Sequence, residues 1–441
     1  MTYVDGRQVG MSRLAVRIAA IGLTSLAVVA AQPALSATLA ILALVLFGLS
    51  LLSRLPSDAP SDTRWAAFVA LTVLIVSLVV SRADVPDSVV DAKLPGVILG
   101  AAACVVAFFA AEKLALRSIA VGLALCCALF VTGGLVAGEW NSDVGTDIYH
   151  AHKAAGAALV AGENPYTDAV RILNGSPYVP EGTIIEGYPY PPVVVTTYGL
   201  VGAFSDPRLV STLAWLAILA WTGAMALSRS SGSEASLGVC LILATAPGWP
   251  LLWYSAWTEP LTLLLFLLAL VAWRRGPLIS GILLGLALAS KQYLLLLTPL
   301  FLLHRDEDWM KRLITTAATV TVTLLPAVLI DPVSFYRATI GNLADIGFRP
   351  DSQSISGLLG AMGINFELPK WAWLTVGLGA ATVVGLGSRS SSLLLGRAGL
   401  ALGVAFAVGL AFPNYWFLIL GLMAISTILD ARKSSLPIAP A

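Results

Sequence analysis

Apolar runs recur from one end of this chain to the other. They lie near residues 14–31, 34–53, 65–81, 94–111, 116–137, 191–205, 209–227, 235–254, 258–273, 277–303, 313–330, 371–386, 393–411 and 413–429. A helix needs about 20 apolar residues to cross a hydrocarbon core. Backbone in lipid must satisfy its own hydrogen bonds, so such runs fold as helices. Of the 441 residues 58% are hydrophobic and 12% charged, against about 25% charged in a soluble domain. These features predict an all-α polytopic membrane protein with about 14 transmembrane helices. A formal net charge of +1 carries no basic stripe for nucleic acid. Cys104, Cys126, Cys127 and Cys240 all sit in apolar runs without CxxC spacing. They read as small core residues rather than a disulfide or metal framework.

The few charges set the topology. Arg7, Arg13 and Arg17 precede the first run, which reads as a retained helix with the N-terminus inside. Arg54 and Arg64 flank the next inner turn, Lys113 and Arg117 the one after. The turn at 81–93 carries Asp84, Asp87 and Asp91 and lies outside. Alternation then brings Gly138 out on the external face. The 277–303 run reads either as one long helix or as two short ones meeting at Lys291-Gln292. One helix gives the count of about 14 but puts Arg274-Arg275 outside, against the positive-inside rule. On either reading the insert 331–370 is external, and Arg432 and Lys433 keep the tail 431–441 cytoplasmic.

The stretch Gly138–Pro192 is where the chain concentrates its polar chemistry: three Asp, four Glu and two of the three His residues. Asp147 to Val160 has helical periodicity, with Ile148, Ala151 or His152, Ala155 and Leu159 recurring on one side, and Gly162 followed by Asn164-Pro165 stops it. Such a segment is an amphipathic helix lying along the membrane surface. Asp147 and His150, three apart, share a face, and Asp143 joins them at i,i+4 if the helix starts earlier. Asp147 is then either a first-turn helix cap or a general base, with His150 beside it. Tyr166, Tyr188 and Tyr190 are either headgroup anchors or sugar-binding faces. Lys291, a lone cation in an apolar run, either binds a phosphate, pairs with an acid or snorkels. Glu259 is equally costly to bury alone. Arg349 is the competitor of Lys291 for phosphate. No phosphate-loop, HExxH or DxD motif occurs, so neither ATP nor a metal or other cofactor is called for.

The run DIYHAHKAAGAALVAGENPY (Asp147 to Tyr166), followed by YPP at Tyr190–Pro192, resembles the first outer loop of membrane glycosyltransferases that use polyprenyl-phosphate sugars. These are enzymes of the GT-C fold. The chain is similar to their bacterial, actinobacteria-rich alpha-mannosyltransferase-like group, glycosyltransferase family 87. Three further segments fit in order: Trp257-Thr258-Glu259, then Gly281…Gly285…Lys291-Gln292, then Asp351 to Leu359 (DSQSISGLL). The last departs from the family's N-Q-S form at Asp351-Ser352, and Gln292-Tyr293 replaces a Pro-bearing version.

The resemblance covers residues 118–430 as a catalytic membrane domain with outer loops 138–190 and 331–370, leaving 1–117 as additional helices. It implies transfer of a hexosyl or pentosyl unit, mannose or arabinofuranose, from a polyprenyl-phosphate donor to a cell-envelope glycolipid or polysaccharide. The reaction would take place on the extracytoplasmic face of the cell membrane. Asp147 falls at the family's acidic position, with Asp143 its rival. Lys291 and Arg349 would hold the donor phosphate, and Tyr166, Tyr188, Tyr190, Glu259, Gln292 and Gln353 would bind substrate. A lipid or sugar transporter and a non-catalytic assembly scaffold are the alternatives the broken apolar runs leave open.

Overall fold

The computed structural model describes residues 3–4, 7–8, 13–29, 33–52, 69–70, 87–109, 114–139, 146–173, 184–228, 233–246, 248–273, 275–342, 349, 351–364, 366, 368–386 and 391–433. Asp143, Arg54, Arg64, Arg274, nearly all of the third apolar run and the end of the tail lie outside them. The described chain is helical apart from two antiparallel two-stranded ribbons. One of them pairs Arg171–Leu173 with Ile184–Glu186 inside the large polar insert.

The expectation of about 14 transmembrane helices does not hold. Among the described residues five helices are long and apolar enough to cross a bilayer: Leu114–Ala137, Arg208–Leu227, Trp309–Ile330, Ser391–Val408 and Pro413–Arg432. A sixth is reached if Ser233–Ala244 and Gly248–Tyr254, bent by 51°, count as one. Further apolar segments of 10–17 residues, such as Pro192–Phe204, Glu259–Val271 and Pro277–Leu288, are helical among the described residues. Apolar composition records burial in oil or in protein without distinguishing them, and short helices persist where neighbouring helices shield their ends.

Two runs show the difference. Pro192–Phe204 packs along the Asp147–Ala161 helix. A Cβ on Gly156 would lie 2.7 Å from the backbone nitrogen of Ala203, and one on Gly202 3.1 Å from the carbonyl of His152. The 277–303 run is broken. Pro277–Leu288 ends at Ala289, Lys291 is extended (φ −147°, ψ 131°), and a 3₁₀ segment Gln292–Leu297 leads into Thr298–Leu303. A six-residue 3₁₀ stretch is long for its kind and marks a local break in regular structure.

The two halves form a hairpin with Lys291 at its tip. Arg312 ties the open ends together, donating from Nε to Ser280 Oγ at 2.9 Å and from Nη1 to both Asp306 oxygens at 2.8 and 2.6 Å. Trp273 Nε1 reaches the same Asp306 at 2.7 Å. Arg275 therefore sits at the same end of the hairpin as the Arg305–Lys311 turn. His304 is buried and lies edge-on to Trp273.

Gly281 and Gly285 seat this hairpin against Trp309–Ile330. A Cβ on Gly285 would meet Thr319 Cβ at 2.6 Å and the Thr316 carbonyl at 2.8 Å, the close approach that small residues allow between membrane helices. Gly379 has nothing within 4 Å. Gly285→Ala is expected to lower stability in detergent by about 1–3 kcal/mol through overpacking, while Gly379→Ala leaves it unchanged or slightly raised. Equal melting temperatures for the two variants would contradict this packing.

The first helices pack against the last. Arg17 in Arg13–Val29 pairs with Asp430 in Pro413–Lys433 at 2.7 Å, and Phe47 and Leu44 close on Gly396 and Gly403. Asp430 lies about 24 Å along its helix from Asn414, so the Arg17–Asp430 pair marks one end of the helical body. The site described next lies at the other.

Candidate functional site

Glu259 and Lys291 form the polar centre of the apolar body. Glu259 opens the helix Glu259–Val271, with Pro260 in its first turn. Both are favourable there, since the N-terminal dipole attracts an acid and a first-turn proline has no partnerless N–H to lose. Lys291, at the hairpin tip, reaches Glu259 Oε1 at 2.8 Å, the side chains being 1% and 0% exposed. The same oxygen accepts from Asn414 Nδ2 at 2.8 Å and from Tyr293 OH at 3.3 Å. The Lys291 ammonium also faces the Tyr190 ring at 4.1 Å. Three donors and an aromatic face compensate charges that would otherwise be untenable in this setting. Among the described residues, the buried atoms without a hydrogen-bond partner include Glu259 Oε2, Thr258 Oγ1, Gln292 Oε1 and Gln353 Oε1. These are acceptors suited to sugar hydroxyls.

The chain reaches Glu259 through an unusual turn. Gly248–Tyr254 ends with the Trp257 amide on the Leu252 carbonyl and the Ala256 amide on the Trp253 carbonyl. This is the C-terminal cap that usually places glycine in the left-handed position. Here Ala256 occupies it at φ 53°, and among the described residues it is the one non-glycine with positive φ. An L-residue there costs about 1–2 kcal/mol.

The large polar insert covers this centre. Its helix spans Asp147–Ala161 and stops at Gly162, left-handed at φ 75°, whose N–H and that of Glu163 close on Leu159 and Ala158. His152 is fully buried, stacked on Tyr198 at 4.7 Å and facing Tyr190 at 6.1 Å. Tyr166, Tyr188 and Tyr190 are buried rather than spread along a rim. Two of their hydroxyls act inside the protein: Tyr188 on His152 Nδ1 at 2.6 Å and Tyr166 on the Tyr190 carbonyl at 3.2 Å.

Asp147 stands at the helix start, partly buried, accepting from the Ile148 amide at 2.9 Å. Burial raises its pKa above the ordinary 3.8, against the lowering effects of the Ile148 amide, Arg349 and His150. Arg349 and His150 therefore act on Asp147, and Asp147 in turn on Tyr190. His150 is exposed and edge-on to Tyr149. Arg349 grips Asp351 through two bonds of 2.7 and 2.6 Å and lies 5.0 Å from the Phe412 ring. The Gln353 backbone N–H donates to the Ala411 carbonyl at 2.8 Å, and its backbone carbonyl accepts from Trp416 Nε1 at 3.2 Å. Gln292 Nε2 meets the Pro189 carbonyl at 3.5 Å.

The segment Asn414-Tyr415-Trp416 joins the two halves of the site. Asn414 bonds Glu259, Tyr415 packs on Tyr293 at 5.1 Å, and Trp416 holds the Gln353 loop. This segment, His152 and Tyr198 are not among the site residues that the sequence singled out. The signal for His152 was its alternative place beside Ala151 on the apolar side of the helix. Asp206 and Arg208, buried together at 2.6 Å with Arg208 between the Tyr149 and Trp253 rings, were also missed. Two opposite charges flanking Pro207 at a helix start are their trace in the sequence.

The profile of glycosyltransferase family 87 matches residues 188–419, more than half of the chain. No curated protein and no solved structure matches it. The matched region begins at Tyr188 and takes in Glu259, Lys291, Arg349, Gln353 and Asn414; the Asp147 helix precedes it. The match covers a multi-pass helical membrane protein, and this chain belongs to glycosyltransferase family 87 and is a glycosyltransferase.

Proposed function

We propose that this glycosyltransferase moves a hexosyl or pentosyl unit from a polyprenyl-phosphate sugar to a cell-envelope glycolipid or polysaccharide on the extracytoplasmic face. Mannose and arabinofuranose are the sugars the family resemblance favours. The observation that carries the reading is the convergence of three separated segments on one place. The acid Asp147 comes from the first insert, the cation Arg349 from the second, and the Glu259–Lys291 centre from the membrane body.

Each residue has a part in this reading. Asp147 takes the proton from the acceptor hydroxyl, and the raised pKa that burial gives it strengthens it as a base. The hydroxyl oxygen attacks the anomeric carbon, the bond to the phosphate oxygen breaks, and the polyprenyl phosphate leaves carrying the electron pair. A single displacement inverts that carbon. Arg349 and Lys291 stabilise the departing phosphate. Lys291 already holds Glu259, so Arg349, with a partner a phosphate can displace, is the first cation the phosphate meets. Glu259 Oε2, Gln292 and Gln353 accept sugar hydroxyls, with Tyr190 as the stacking face. His150 steadies the Asp147 charge.

The test is transfer of radiolabelled sugar by purified protein from synthetic polyprenyl-phosphate mannose and polyprenyl-phosphate arabinofuranose. Product with one donor is expected, and product with neither would sink the donor assignment. Orientation is tested separately. Gly162→Cys, at an exposed helix end and in a Cys126→Ser background, is expected to react with a membrane-impermeant thiol reagent in intact cells. Labelling only after lysis would place the site on the cytoplasmic face.

A further inference from the structure

We propose that His152 is a positioning residue of the transfer site: it holds the Ser255–Trp257 turn in its left-handed form and thereby sets Glu259 relative to the helix that carries Asp147. The proposal rests on the reading of Asp147 and Glu259 as parts of one site.

Three consecutive carbonyls of the turn are each held by a side chain. Thr146 Oγ donates to Ser255 at 3.0 Å, His152 Nε2 to Ala256 at 3.0 Å and Ser211 Oγ to Trp257 at 3.1 Å. Thr146 caps the helix on which His152 sits, and Asp147 is its first residue. One rigid element therefore carries the acid and also grips the turn two residues before Glu259.

The hydrogen bonds fix the imidazole. A carbonyl can only accept, so Nε2 bears the proton, and Nδ1 accepts from the Tyr188 hydroxyl at 2.6 Å. Burial pushes the His152 pKa down to about 3, so the ring is neutral and the tautomer constant across the working pH range. This excludes His152 as a proton carrier and leaves it as a donor of fixed direction. Its stack also reaches Tyr190, the ring that faces Lys291. His152 thus touches the supports of both members of the Glu259–Lys291 pair.

A turn held against its own preference should depend on the holder, whereas a side chain that only fills space should not. Glycine adopts φ near 53° without the steric penalty alanine meets. Ala256→Gly is therefore the decisive background. His152→Phe keeps the stacked ring but removes the donor, while His152→Gln restores an amide N–H at similar reach.

His152→Phe is expected to lower kcat by about tenfold or more and to lower the melting temperature, with His152→Gln recovering most of both. In the Ala256→Gly background the melting-temperature loss caused by His152→Phe should shrink by at least half, and the kcat loss should shrink with it. Losses that add unchanged across the two sites would overturn the proposal, as would full activity of folded His152→Phe. The stability cycle needs no substrate, so it decides the point even if neither polyprenyl-phosphate donor is turned over. Conversely, rescue at residue 256 with an active Asp147→Asn variant would keep the positioning role and remove the base.

Discussion

Asp147→Asn is expected to lower sugar transfer by about 100-fold or more at equal folded amount. Asparagine keeps the size of the side chain and its oxygen toward the Ile148 amide, so the helix start survives. What disappears is the group that can take a proton from the acceptor. Wild-type transfer should also fail on acidification, because the base works only when ionised. Burial raises the Asp147 pKa above 3.8, so transfer is lost as pH falls through that raised value, and the loss begins at a higher pH than for an exposed aspartate. The variant should show low activity without this acid limb. Full activity of Asp147→Asn, or an acid limb that persists in its residual rate, would remove Asp147 as the base. Asp143, outside the described residues, would then be the next carboxylate to test.

Lys291→Met should be the most damaging single change to stability. It leaves Glu259, fully buried, with Asn414 and Tyr293 as its donors and no countercharge. Breaking a buried pair in this way costs about 3–5 kcal/mol. Adding Glu259→Gln removes the stranded charge, so the double variant should regain most of the loss while remaining inactive in transfer. The measurement is thermal unfolding in detergent for both singles and the double, read as a coupling energy. A loss below about 1 kcal/mol in Lys291→Met would mean that the pair contributes little to the native state. Transfer by the double variant at wild-type rate would remove the pair from the reaction.

Membrane residence and helical class were legible in the chain because they follow from composition and run length, which no packing can reverse. The loop helix was legible too. Its periodicity, the Ala-rich middle and Gly162 with the Asn-Pro pair all act within a few residues of one another. The order of the four polar segments carried the family, since it survives without knowing where any side chain points.

The number of full-length spans was not legible. A run such as 277–303 has the same composition whether it crosses the bilayer or folds back at Lys291. Only the contacts of Arg312 with Ser280, Trp273 and Asp306 close the hairpin. The fate of Lys291 was likewise open, because snorkelling, phosphate binding and pairing look alike in one dimension. Glu259, 32 positions earlier, decides it through a contact of 2.8 Å. Helical spacing singled out His150 as the neighbour of Asp147, yet the same spacing says nothing about which face meets the tyrosines. His152 became the central imidazole because Tyr188, Tyr198 and the Ala256 carbonyl enclose it. Properties local in sequence were set by the sequence itself, and those that depend on burial and on partners far along the chain were set by the tertiary structure.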